Sequence, residues 1–188
     1  MKKSSIVLII IIAIIVLIGG MFVSSYNGMV SKQENVTTSL SNLDVYLQRR
    51  ADLIPNLVST VKGYMSHETE IINSITDARA KMLSANSVQE KSEANDELGA
   101  ALNALMVVVE NYPDLKSSSN FIQLSDELSG TENRIANARR DYNTAVQTYN
   151  TSIKRFPNNI LANMFGFESA TYFAADEGSQ EVPSVSFE

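Results

Sequence analysis

Residues 66–70 read Ser66-His67-Glu68-Thr69-Glu70 and set a histidine among carboxylates, the raw material of a metal site or an acid–base pair. A zinc-protease helix needs a second histidine four residues after the first, and a bundle-core di-iron site needs two Glu-x-x-His pairs. His67 is the one histidine in the chain, so neither set can be completed. With no cysteine, a thiolate nucleophile and a thiolate zinc site are also excluded. No glycine-rich phosphate loop and no G-x-S-x-G elbow is present. Serines, lysines and carboxylates abound, but they fall on the polar faces of helical patterns. The expectation is a protein that is not an enzyme, with no catalytic residue, cofactor, metal or small-molecule substrate. His67 and Glu68 then read as helix-surface or end-capping residues.

Two other clusters invite a structural or a binding reading. Arg49-Arg50-Ala51-Asp52 places two guanidinium groups beside a carboxylate, which can form a bidentate pair that fixes a turn or a contact between subunits. Tyr112-Pro113-Asp114-Leu115-Lys116 carries the same two alternatives. Asn35-Val36-Thr37 and Asn150-Thr151-Ser152 match the glycosylation triplet, which is common by chance.

The elements that would position these residues begin with a long apolar run. From Ile6 to Val23 eighteen consecutive residues lack a charge. As a helix they extend roughly 27 Å, close to the hydrocarbon thickness of a bilayer. The run is long for a signal peptide, and Phe22-Val23-Ser24-Ser25 is a poor cleavage site. An uncleaved anchor over residues 1–25 is expected. Lys2 and Lys3 precede it, and Lys32 alone follows closely, so the positive-inside rule leaves the N-terminus cytoplasmic. The rest would lie on the periplasmic or extracellular side of a single-pass cell (inner) membrane protein. Net charge is −6 with no basic block, which argues against nucleic acid.

Residues 26–156 have the periodicity of four helices. Glycine and proline are sparse, with only Gly63 between residues 29 and 98. The first helix continues from the anchor through Val36, Leu40, Leu43 and Leu47 toward Arg50. Pro55 suits a first helical turn, and the favoured reading is a tight turn at 51–54. A kinked single helix explains the unbroken three-four spacing equally well. Helix two then spans 55 to about 83, with Leu57, Val61, Tyr64, Ile71, Ile75, Ala78 and Met82 inward. Helix three runs from 88 to Tyr112, where Pro113 stops it. Helix four runs from a Ser119 or Asn120 cap through Phe121, Ile135, Tyr142, Tyr149 and Ile153 to Phe156-Pro157. The fold class expected is all-α, an N-terminal transmembrane helix continuous with an up-and-down antiparallel four-helix bundle. Residues 157–175 form an amphipathic, aromatic-rich segment whose Met164, Phe165, Phe167, Tyr172 and Phe173 would meet the membrane interface or cover the core's end. Residues 176–188 read as a disordered tail.

Taken in order, these segments resemble the LemA family. The resemblance rests on Leu43-Asp44-Val45-Tyr46-Leu47-Gln48-Arg49-Arg50, on Asp52 to Val58, on Val61 to Tyr64 and on His67-Glu68. It continues through Glu110 to Lys116, Phe121, Leu124, Glu127-Leu128, Thr131-Glu132, Tyr142-Asn143 and Tyr149-Asn150. Leu40 departs from the tryptophan of many relatives. The resemblance implies a bacterial single-pass membrane protein with a four-helix domain, and a magnetosome relative tied to membrane remodelling. It implies no reaction. The expected function is a non-enzymatic, self-associating scaffold that organises or remodels the bacterial membrane, its partners the lipid bilayer and its own copies. The alternative is an accessory or sensor subunit that binds another membrane protein, such as an envelope protease or stress factor.

Overall fold

The computed structural model describes residues 3–65 and 67–173, with side chains from residue 9 onward. Six helices follow one another: α1 Lys3–Lys62, α2 Thr69–Ser84, α3 Val88–Val109, α4 Pro113–Lys116, α5 Ser119–Lys154 and α6 Asn158–Phe165. The described residues contain no strand. Lys2, Ser66 and the segment 176–188, together with the last two residues of 157–175, lie outside the described residues.

The expected turn at 51–54 does not form. α1 runs through Pro55 without interruption. A proline inside a helix deprives the carbonyl four residues earlier of its donor, here that of Ala51. Ala51 is fully buried, and the Arg79 Nε–H donates to its carbonyl oxygen at 2.8 Å. A side chain 28 residues further on replaces the bond the imide nitrogen cannot make. The helix ends instead at the lone glycine of this region, a residue that costs a helix interior about 1 kcal/mol relative to alanine. There the last turn tightens, with Gly63 N donating to Thr60 O at 3.3 Å and Tyr64 N to Val61 O at 3.0 Å.

Around this break two inward positions move by one residue. Met65 and Ile72 are buried, whereas Tyr64 is 46% exposed and Ile71 is half-buried. The remaining inward positions, Leu57, Val61, Ile75, Ala78 and Met82, are buried as their spacing requires. α3 opens on a capping box. The Ser87 hydroxyl accepts from Glu90 N, and the Glu90 carboxylate accepts from Ser87 N. Its carboxyl is held below the usual range, first by the Asn86 backbone N–H and then by that of Ser87. α5 begins at Ser119, so neither Ser119 nor Asn120 stands outside the helix as a cap.

The chain divides into two compact units. One contains Leu40–Asn143 and residues 171–173; its core includes Leu43, Ile54, Leu57, Met65, Ile75, Leu98, Leu105 and Leu115. Within it α2 packs on α3. The other contains residues up to Ser39 together with Thr144–Ala170, and buries Met29, Val36, Val146, Tyr149, Ile153 and Leu161. In that unit α6 stops at Gly166, whose φ of 72° is the left-handed conformation that a side chain disfavours. Phe167 N then closes the end on Ala162 O at 2.9 Å.

Candidate functional site

In the unit built from Leu40–Asn143, the two arginines of the Arg49-Arg50-Ala51-Asp52 cluster part company. Residues two apart on a continuous helix point away from each other, so Arg50 and Asp52 cannot pair as a turn would allow. Asp52 accepts from Gln48 Nε2 at 2.8 Å, one turn back. Arg49 reaches α5 and meets Glu127 at 2.9 Å, an exposed pair. Arg50 is 5% exposed and turns inward between α3 and α5. Its Nη1 donates to Asn95 Oδ1 at 2.6 Å and to Glu132 Oε2 at 2.9 Å. A buried guanidinium needs such acceptors, because an unpaired charge inside a protein is costly. Nearby, Lys91 of α3 bridges back to Asp44 of α1 at 2.8 Å.

The two remaining polar motifs meet each other. Tyr112 O–H donates to Glu68 Oε1 at 3.0 Å, across 44 residues of sequence. That hydrogen bond favours the neutral phenol and raises its pKa, with burial and the Glu68 charge adding to it. His67 is exposed. Pro113 occupies the first turn of α4, where its missing N–H costs nothing. Asp114 offers its carbonyl to the Ser117 hydroxyl, and Lys116 pairs with Glu110 at 2.6 Å. These contacts shape the turn between α3 and α5. Among the described residues no three His, Asp or Glu side chains gather to hold a metal ion.

In the unit that holds the N-terminal part of α1, the surface is of another kind. Ile9 to Val23 project large apolar side chains into the open; Leu17 is 69% exposed. The helix is long and apolar enough to cross a membrane. At the end of that run Tyr26 meets the tail segment, its ring lying edge-on to Phe165 at 4.9 Å and to Phe167 at 5.6 Å. Phe22, Val23 and Tyr26 on α1 face Leu161, Met164 and Phe165 on α6 across an open apolar cleft of about 470 Å³. Met164 and Phe165 are exposed, as are Ile160 in the same segment and Phe156 just before it. A separate polar pocket in this unit has Lys32, Arg155 and Asn158 in its wall.

Asparagine side chains fasten the chain beyond α6. Asn150 Nδ2 donates to Ala170 O at 2.9 Å while its Oδ1 accepts from Ala170 N at 2.8 Å. In the other unit Asn143 grips Phe173 in the same two-bonded way, at 2.9 Å for each bond. Tyr142 O–H donates to Thr171 O at 2.7 Å. Phe173 is consequently buried, and of the five residues expected at a membrane interface it is the one withdrawn from the surface; Tyr172 is exposed and Phe167 half-buried. Burial raises the pKa of Tyr142 and Tyr149, with Asp44 and Glu168 respectively reinforcing the shift.

No site role was legible in the sequence for Asn95, Glu132, Arg79 or the cleft residues Phe22, Tyr26 and Leu161. The asparagine clamps did leave a signal, the pair Tyr142-Asn143 and Tyr149-Asn150 repeated at seven residues and so on one helical face.

The LemA family profile matches residues 39–187. Magnetosome protein MamQ 2 of Paramagnetospirillum magneticum is 32% identical over 174 residues, which cover 79% of this chain and 64% of that protein. Magnetosome protein MamQ of Magnetospirillum gryphiswaldense is 28% identical with the same coverage. Protein LemA of Metamycoplasma hominis is 28% identical over 159 residues, 84% of this chain and 72% of that protein. The chain thus spans somewhat less than two thirds of the length of its magnetosome relatives.

Proposed function

The chain belongs to the LemA family, and from that premise we propose that it is a non-enzymatic membrane-anchored helical scaffold, which self-associates and organises or remodels the membrane holding it. The observation that carries this reading is the exposed apolar run of α1, ending at a second apolar surface made by α6. Apolar area on that scale is stable in lipid and costly in water. The anchor crosses once, with the short N-terminus in the cytoplasm and the helical body outside. Within that body α1 is tied to α2 by Arg79, to α3 by Arg50 and Lys91, and to α5 by Arg49 and Arg50. Such mutual bonding supports an up-and-down four-helix bundle as its architecture. The relatives named as magnetosome proteins support a role in shaping or organising a membrane.

The test is full-length protein, purified in detergent and then reconstituted into phospholipid vesicles. Crosslinking should give a self-ladder, and vesicles imaged by cryo-electron microscopy should change shape as protein is added. A monomer at every concentration with unaltered vesicles refutes the scaffold. A single heterologous band on crosslinking in cells would assign the chain instead to a partner membrane protein.

A further inference from the structure

We propose that the cleft between α1 and α6 is a phospholipid site, holding an acyl chain where α1 leaves the hydrocarbon. This rests on the membrane reading above and goes further, since an anchor by itself requires no cleft. Three features of one compact unit converge on it. The wall on α1, Phe22, Val23 and Tyr26, is the end of the exposed apolar run. A run of this length fills the hydrocarbon layer, so Phe22 and Val23 stand at its edge and Tyr26 one turn beyond, at the depth that interfacial aromatic residues occupy. The opposing wall of Leu161, Met164 and Phe165 is thereby brought to the same depth, with Tyr26 and Phe165 in ring contact at 4.9 Å.

The cleft's chemistry selects a hydrocarbon chain. Its volume of about 470 Å³ is that of a ligand pocket, and its surface is apolar throughout. Protein interfaces, by contrast, combine an apolar centre with hydrogen-bonding groups at roughly one bond per 100–200 Å². Continuity with the membrane-crossing surface of α1 argues for lipid rather than a second copy of the chain. Lys32 is six residues past Tyr26, about 9 Å along the helix axis, and so lies at headgroup level. With Arg155 it lines the polar pocket of the same unit, which makes phospholipids with a net negative headgroup the favoured class.

The experiment uses the full chain in vesicles of phosphatidylethanolamine and phosphatidylglycerol, doped with a phospholipid bearing a diazirine midway along one acyl chain. After irradiation, adducts are mapped by mass spectrometry. Labelling is expected both in the Ile9–Val23 stretch and on Leu161, Met164 or Phe165. In Met164→Glu, a change at an exposed position, the α6 adducts should fall about tenfold while those on α1 persist, because a carboxylate is expelled from a hydrocarbon-filled cleft. Adducts confined to Ile9–Val23 overturn the site and leave the anchor standing. Adducts on neither segment overturn the anchor reading itself. A photoreactive phenylalanine at 165 that yields covalent dimers in place of lipid adducts shows the cleft to be filled by a second copy.

Discussion

Arg79→Met isolates the bond that lets α1 pass through Pro55, because methionine keeps the apolar stem and removes the guanidinium. The Ala51 carbonyl is buried, and its 2.8 Å bond comes from a charged donor. Net contributions of bonds to charged groups run at about 1.5–3 kcal/mol, so Arg79→Met should destabilise by about that amount. For a chain of this size the melting temperature would drop by roughly 4–9 °C. The informative step is to repeat the substitution in a Pro55→Ala background. Residue 55 then has an N–H that can donate to Ala51 O in the ordinary helical way. Pro55→Ala alone should stabilise, by less than the ~3 kcal/mol of an uncompensated helix proline, since Arg79 already supplies part of the repair. Combined with it, Arg79→Met should cost under ~1 kcal/mol, a coupling of about 1–2 kcal/mol in the double-mutant cycle. Far-UV circular dichroism of the four full-length proteins in one detergent, melted at one concentration, reads all the terms. Equal cost of Arg79→Met in both backgrounds would refute the reasoning, because the arginine would then be acting elsewhere.

Further outcomes follow from local geometry. Asn150→Ala and Asn143→Ala each remove two bonds, so each should cost about 1–3 kcal/mol and speed hydrogen exchange at the amide of Ala170 or Phe173 respectively; unchanged protection would dissolve the asparagine clamp. Ser87→Ala should lower stability by about 1 kcal/mol. The depressed Glu90 carboxyl stabilises the fold above its ordinary titration range and loses that effect as pH falls below about 4.5, so Glu90→Gln should flatten the acid limb of the stability curve. Tyr112 is shifted the other way by its bond to Glu68. Its contribution is complete below the ordinary phenol value near 10 and fades as pH climbs through the raised one, and Tyr112→Phe should erase that alkaline decline.

The parts of the fold that were legible in the sequence are those governed by short-range pattern. The uncharged stretch from Ile6 to Val23 announces an apolar rod, and the spacing from Phe121 to Ile153 gives α5 nearly to the residue. The same unbroken spacing held the correct answer at Pro55, where proline's local preference outweighed it. What tipped the balance is Arg79, a partner 28 residues away that no local rule could nominate. Arg50 continues the three-four spacing of Leu43 and Leu47, but its partners Asn95 and Glu132 belong to other helices. The Asp52 pair failed because it presupposed a turn. Likewise the aromatic tail was visible as composition, while the withdrawal of Phe173 depended on an asparagine 30 residues earlier. The contact of Glu68 with Tyr112 joins the histidine-carboxylate stretch to the Tyr112–Lys116 cluster and gives both an architectural use.

Membrane anchorage is the premise on which the scaffold and the lipid site both stand, and intact-mass analysis of carbonate-washed membranes from producing cells tests it directly. Anchorage predicts a polypeptide that keeps residues 1–25 and is retained in the washed membrane pellet. A polypeptide lacking residues 1–25 and recovered from the soluble fraction would contradict it.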